Sequence, residues 1–145
     1  MLVDCSAEAL EIARENVKEV GFLNRIELIQ SDLFSDLFFL SQSTRFDLIV
    51  SNPPYLTAED MASLQPEVAH EPRMALDGGR DGLDIYRRII PEAAKFLKPQ
   101  GWLGFEVGAG QAPMVSNELK KNGYGDLRVF HDHQDIERTV FARKS

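Results

Sequence analysis

The sharpest chemical signal in this 145-residue sequence is the tetrapeptide Asn52-Pro53-Pro54-Tyr55. A carboxamide or an exocyclic amine is a poor nucleophile, because its nitrogen lone pair is delocalised into the adjacent carbonyl or ring, as in the peptide bond. Such a group has to be rehybridised or held in place. The Asn52 side-chain oxygen and the Pro53 carbonyl are two acceptors suited to the two hydrogens of one planar NH2 group, which fixes its nitrogen face toward an electrophile. The prolines keep the preceding residues extended, and Tyr55 offers a flat apolar face on which a planar group stacks. A strand-ending turn is the alternative for a bare Asn-Pro-Pro, and two upstream acids weigh against it. Asp4 follows Leu2-Val3, where nucleotide-binding α/β folds set an acid to accept hydrogen bonds from ribose hydroxyls. Asp32 holds the equivalent place after a second strand, where it could accept from an adenine amino group. Each also reads as a capping acid at a helix N-terminus.

Other chemistry-bearing residues point nowhere in particular. His70, His131 and His133 include an H-x-H pair with no third ligand at a plausible spacing, so no metal is expected. Cys5 has no evident basic partner and reads as a small buried filler. Gly108-Ala109-Gly110 lacks the third glycine of a phosphate loop and reads as a tight strand-to-helix turn.

The elements that must position these residues follow from periodicity. Met1 to Asp4 reads as the end of a buried strand, and Ser6 caps a helix with Leu10, Ala13, Val17 and Val20 on its apolar face, stopped at Gly21. Arg25 to Gln30 alternates like a second strand. Phe46 to Ser51 is a third, halted by the prolines. Thr57 to Asp60 has the form of a capping box, and Gln65 to Gly82 reads as a long ordered loop or flap. A helix from Leu83 to Phe96, a turn at Lys98-Pro99-Gln100-Gly101, a strand from Trp102 to Val107 and a helix near Ala112 to Asn122 come next. Strands near Leu127 to His131 and Thr139 to Arg143 are close enough to pair as a hairpin. This alternation predicts an α/β fold: a mostly parallel, doubly wound sheet with an antiparallel end and ligands at the carboxyl ends of its strands. Asp4, Asp32 and Asn52 are all expected there, along one edge.

Length and composition bound the function. With 145 residues the chain suffices for one compact domain, and its 43% hydrophobic and 27% charged content suits a soluble globular protein with no membrane span. A net charge of -7 repels a phosphate backbone, so direct nucleic-acid binding is not expected. One cysteine excludes an intrachain disulfide, and the N-terminus lacks the order of a secretory signal, which makes the cytoplasm the expected location.

Beyond the tetrapeptide, Val3-Asp4-Cys5-Ser6, Ser31-Asp32-Leu33-Phe34, Glu71-Pro72, Ala75-Leu76, Gly78-Gly79, Asp81-Gly82-Leu83, Tyr86-Arg87 and Asp135-Ile136-Glu137-Arg138 together resemble the HemK/PrmC family. Its members are S-adenosylmethionine-dependent methyltransferases that modify the side-chain amide of a glutamine in peptide-chain release factors. Asn-Pro-Pro-Tyr is shared with DNA adenine and rRNA guanine methyltransferases, whereas the flap from Glu71-Pro72 to Asp81-Gly82-Leu83 is more particular to the glutamine-modifying group. The resemblance implies a Rossmann-like methyltransferase fold with S-adenosyl-L-methionine as cofactor and a release factor as protein partner. It implies that Asp4 binds the cofactor ribose and that Asp32 and Leu33 border the adenine. Asn52, Pro53, Pro54 and Tyr55 would hold the substrate amide, with Asn52 also touching the cofactor and with Asn52, Pro53 and Tyr55 as the catalytic set. Residues 1–145 then correspond to a partial catalytic domain in which the family's first strand, its glycine-rich loop and its helical N-terminal domain are missing. Two other readings are a nucleic-acid exocyclic-amine methyltransferase, which would have to flip out its base, and an inactive fragment that binds a partner chain.

Overall fold

A computed structural model describes residues 1–37, 45–64 and 70–145. The chain divides into two compact units, Met1–Thr44 and Arg45–Ser145.

The first unit is built on β1 (Leu2–Asp4), α1 (Ala7–Glu19) and β2 (Leu28–Gln30). Ser6 caps α1 as its position suggests: its backbone is extended and its Oγ accepts the Ala9 N–H at 3.1 Å. Leu10 and Val17 turn inward, but Val20 is 62% exposed because the helix has already ended, with Gly21 in the left-handed region just beyond. β2 begins at Leu28 rather than Arg25 because the Arg25 N–H closes a turn on the Phe22 carbonyl at 2.8 Å. The strands pair in parallel, Leu2 beside Leu28 and Asp4 beside Gln30.

The second unit contains β3 (Phe46–Ser51), α2 (Ala58–Ala62), α3 (Arg73–Leu76), α4 (Asp84–Phe96), β4 (Leu97–Glu106), α5 (Ala112–Lys121), β5 (Tyr124–His131) and β6 (Glu137–Lys144). Its sheet runs β3-β4-β6-β5. β3 and β4 are parallel, while β6 is antiparallel to both of its neighbours and forms the expected hairpin with β5. Three strands therefore point one way and β6 alone is reversed.

Period-two alternation decides what each face of this sheet does. Leu103, Phe105 and the following Val107 are sealed, as are Val140 and Ala142 of β6, on the side covered by Ile89, Ile90 and Ala93 of α4 and Val115 and Leu119 of α5. The opposite face carries Leu48, Trp102 and Phe141. There the guanidinium carbons of Arg128 and Arg143 lie 4.6 and 5.7 Å from the Trp102 ring centre.

Two expectations need correction here. Lys98 to Gly101 is not a turn ahead of a strand but part of β4, where the extra residues bulge between the Phe46–Leu97 and Leu48–Trp102 pairs and Gln100 takes φ 65°. The segment from Gln65 to Gly82 is not loop throughout: it contains the single turn of α3, while 65–69 lie outside the described residues.

Candidate active site

The Asn52-Pro53-Pro54-Tyr55 loop leaves the carboxyl end of β3, whose last pair is Ser51 with Phe105. Asn52 is exposed, Pro53 buried, and Pro54 and Tyr55 half-buried. Among the described residues neither the Asn52 side chain nor the Pro53 carbonyl has a hydrogen-bond partner.

The loop itself is pinned from two directions. Toward the flap, the Leu56 N–H donates to the Leu76 carbonyl at 3.0 Å and the Gly78 N–H to the Leu56 carbonyl at 2.9 Å, a parallel bridge between Leu56 and Asp77. Gly78 has to be glycine: a Cβ there would stand 2.8 Å from the Tyr55 Cα and 2.9 Å from the Pro54 carbonyl oxygen. Toward the turn after β4, the buried Gln111 donates through Nε2 to the Tyr55 carbonyl at 2.9 Å and accepts the Gly108 N–H on Oε1 at 3.0 Å. Gly108-Ala109-Gly110 is the tight strand-to-helix turn its sequence suggests, closed by the Gln111 N–H on the Gly108 carbonyl at 3.0 Å.

The end of the flap is held from the first turn of α4. Arg87 grips both carboxylate oxygens of Asp81, at 2.9 and 2.6 Å, and this guanidinium holds the Asp81 carboxyl below the usual carboxylate range. Tyr86 is fully buried, stacks edge-on against Phe105 with 5.2 Å between ring centres, and donates to the Glu106 carbonyl at 2.8 Å. Burial, reinforced by the neighbouring Tyr55 and Glu106, drives its phenol pKa well above the ordinary tyrosine value, so Tyr86 is a neutral strut rather than a base. Thr57 and Asp60 form the expected reciprocal capping box on α2.

In the first unit, Asp4 and Asp32 lie on adjacent strand ends, tied by the Ser31 N–H donating to the Asp4 carbonyl at 3.0 Å. Asp4 does have a local task, since its Oδ1 accepts the Ser6 N–H at 2.8 Å, but its other oxygen has no partner among the described residues. Asp32 is exposed and followed by Leu33 at φ 55°, an unusual conformation for a leucine that turns the chain sharply beside the strand ends. A half-buried carboxylate oxygen with spare lone pairs beside a second acid fits the hydroxyls and amine of a nucleoside. Cys5, in contrast, is exposed rather than a buried filler: Asp4 and Ser6 on either side of it are committed to the start of α1, which leaves the thiol outside. No group of three or more metal-ligating side chains occurs among the described residues.

Sequence reasoning missed Gln111. Its signal was a glutamine at a helix N-cap, just ahead of Ala112-Pro113, where Ser, Thr, Asp or Asn is usual. The side chain makes no cap because it is used elsewhere.

A family model described as the methyltransferase small domain matches residues 1–113. The chain belongs to this family. Among curated relatives, this methyltransferase small domain chain is 44% identical over 142 residues to a release factor glutamine methyltransferase of Geobacter sulfurreducens, covering 97% of the chain and 48% of the relative. It is also 44% identical over 140 residues to a ribosomal protein uL3 glutamine methyltransferase of Bradyrhizobium diazoefficiens, covering 96% and 41%. The chain thus spans about half the length of the curated relatives it matches. A crystal structure of a methyltransferase from Pyrococcus furiosus superposes with a TM-score of 0.67 at 17% identity, over 99% of this chain and 61% of the other, so the methyltransferase small domain has the Rossmann-like methyltransferase fold. S-adenosyl-L-methionine is the cofactor such a family implies. No helix among the described residues is long and apolar enough to cross a membrane.

Proposed function

We propose that this chain provides the catalytic residues of a protein-glutamine methyltransferase whose substrate is a peptide-chain release factor. The observation that carries this reading is the pair of acceptors without a partner among the described residues, Asn52 Oδ1 and the Pro53 carbonyl, on a loop pinned at the Tyr55 carbonyl and at Leu56. S-adenosylmethionine brings a methyl group already activated by its sulfonium. What the chain adds is placement: the two acceptors take the two amide hydrogens, and the Tyr55 ring lies along the plane of the carboxamide. The nitrogen face then points at the methyl carbon. Bound S-adenosylmethionine would supply the methyl group, its S–C bond breaking as the N–C bond forms, with the electron pair left on the neutral thioether sulfur and one amide proton passing to solvent. Positioning of this kind is worth several kcal/mol in favourable intramolecular cases, roughly 7–11 at the upper limit.

Asp4, Asp32 and Leu33 are assigned to the nucleoside of the cofactor, Asp4 to the ribose hydroxyls and the other two to the adenine border. Relatives at equal identity carry release-factor and uL3 names, which keeps glutamine common and leaves the protein target to experiment. A flipped nucleic-acid base offers the same planar NH2, but the net charge of -7 disfavours its backbone.

The test is methyl incorporation into purified release factor and ribosomal protein uL3, mapped by mass spectrometry. Methylation at a release-factor glutamine is expected, with Asn52→Ala reducing the transfer rate on the order of 10²-fold or more while cofactor affinity changes little. Methylation of uL3 alone would reassign the substrate. No methylation of either would end the glutamine reading.

A further inference from the structure

We infer that Gln111 is a positioning residue for the transfer step, acting through the Tyr55 carbonyl on the two acceptors that hold the substrate amide. This rests on the reading of the Asn52–Tyr55 loop given above.

Gln111 is 7% exposed and both ends of its carboxamide are used, Nε2 on the Tyr55 carbonyl at 2.9 Å and Oε1 on the Gly108 N–H at 3.0 Å. The bond to Tyr55 joins residues 56 apart in sequence, so it fixes the loop to the body of the sheet rather than to itself. Its surroundings leave it no room to wander. A Cβ on Gly82 would collide with the Tyr55 carbonyl oxygen and stand 2.5 Å from Gln111 Nε2, and one on Gly108 would stand 2.8 Å from Gln111 Oε1 and 3.0 Å from Tyr55 Cδ2. Two glycines, one from the flap and one from the turn after β4, therefore lie close against the same side chain.

The mechanical link is the pair of prolines. Their rings fix φ at residues 53 and 54, and Pro54 holds Pro53 extended, so few rotations remain to absorb a displacement of Tyr55 before it reaches the Pro53 carbonyl. If the Tyr55 carbonyl loses its donor, the acceptor pair swings relative to the methyl group, and a misplacement of about 1 Å is enough to cost a large factor in rate. Gln111 touches no substrate atom in this account.

The experiment compares wild type, Gln111→Met and Gln111→Glu in the full-length protein, with S-adenosylmethionine and a glutamine-bearing release-factor domain. Gln111→Met keeps the side-chain length and removes both hydrogen bonds. It should lower kcat roughly tenfold while leaving S-adenosylmethionine affinity within about twofold, as expected for a lost hydrogen bond. Gln111→Glu supplies a signature that a merely structural role lacks. Protonated, a glutamic acid still donates to Tyr55 and accepts from Gly108; ionised, it places a carboxylate against a carbonyl. Burial and that carbonyl raise its pKa above the ordinary value of about 4.3, so activity relative to wild type should recover as the pH is lowered from about 8 to about 5.5. A Gln111→Glu profile parallel to wild type, or a Gln111→Met kcat equal to wild type, overturns the inference alone. A wild-type protein that neither binds nor methylates the glutamine overturns the parent reading, and this one with it.

Discussion

Between Arg45 and Ser145 the candidate residues hang on β3, whose neighbour β4 is sealed by α4 and α5 through side chains with essentially no exposure, Leu103, Phe105 and Val107 among them. Between Met1 and Thr44 they hang on two three-residue strands and one helix, with Leu10, Val17, Ser31 and Leu37 the buried residues described and Met1, Leu2, Ile12, Phe22 and Leu23 exposed. Among the described residues, the second unit thus gives the loop proposed to aim the amide a closely packed support.

Core truncation should show the contrast most strongly. Phe105→Ala is expected to cost about 3–5 kcal/mol of unfolding free energy, and Leu10→Ala about 2 kcal/mol or less, measured by urea denaturation. Equal losses would mean that both units belong to a single cooperative core. Next in size is a functional split. Asp4→Asn keeps the oxygen that accepts the Ser6 N–H but removes the charge, and should weaken S-adenosylmethionine binding roughly 10-fold or more by calorimetry with little change in transfer rate at saturating cofactor. That is the reverse of the Asn52→Ala pattern. A loss of rate without a loss of affinity at Asp4 would break the division of labour.

The smallest expected effect lies inside the second unit. The Tyr124 hydroxyl donates to the Ile90 carbonyl at 3.1 Å, and burial pushes its pKa up to about 12. Its folded pKa is above the unfolded value of about 10, so its contribution is fully present below pH 10 and is lost as the pH rises through the folded value. Tyr124→Phe should therefore cost about 1 kcal/mol at neutral pH and make alkaline unfolding less steep. An unchanged alkaline slope would place the ionising group elsewhere.

Much of this arrangement was legible in the sequence where a local rule was decisive. β3 was readable to the residue, because an apolar run ends where proline removes the donor that a ladder needs. The α2 capping box was readable because both partners lie within four residues. What failed depended on contacts distant in sequence. The Lys98–Gly101 segment has turn composition, yet pairing of Phe46 with Leu97 folds it into a strand as a bulge. Cys5 was expected inside on composition alone, and the hydrogen bonds of its two neighbours decide otherwise. Gln111 carried only the signal of an unusual N-cap residue, because its acceptor is 56 residues upstream.

Trp102 is the chain's one tryptophan, and it lies in the second unit between two guanidinium groups. Its fluorescence reports on the second unit, which holds it, whereas far-ultraviolet circular dichroism sums helices from both. Melting curves recorded by the two probes would superimpose if the halves came apart together and separate if they did not. The protein therefore carries, without any label, the means to tell whether the Asn52–Tyr55 loop outlasts the strands that end at Asp4 and Gln30.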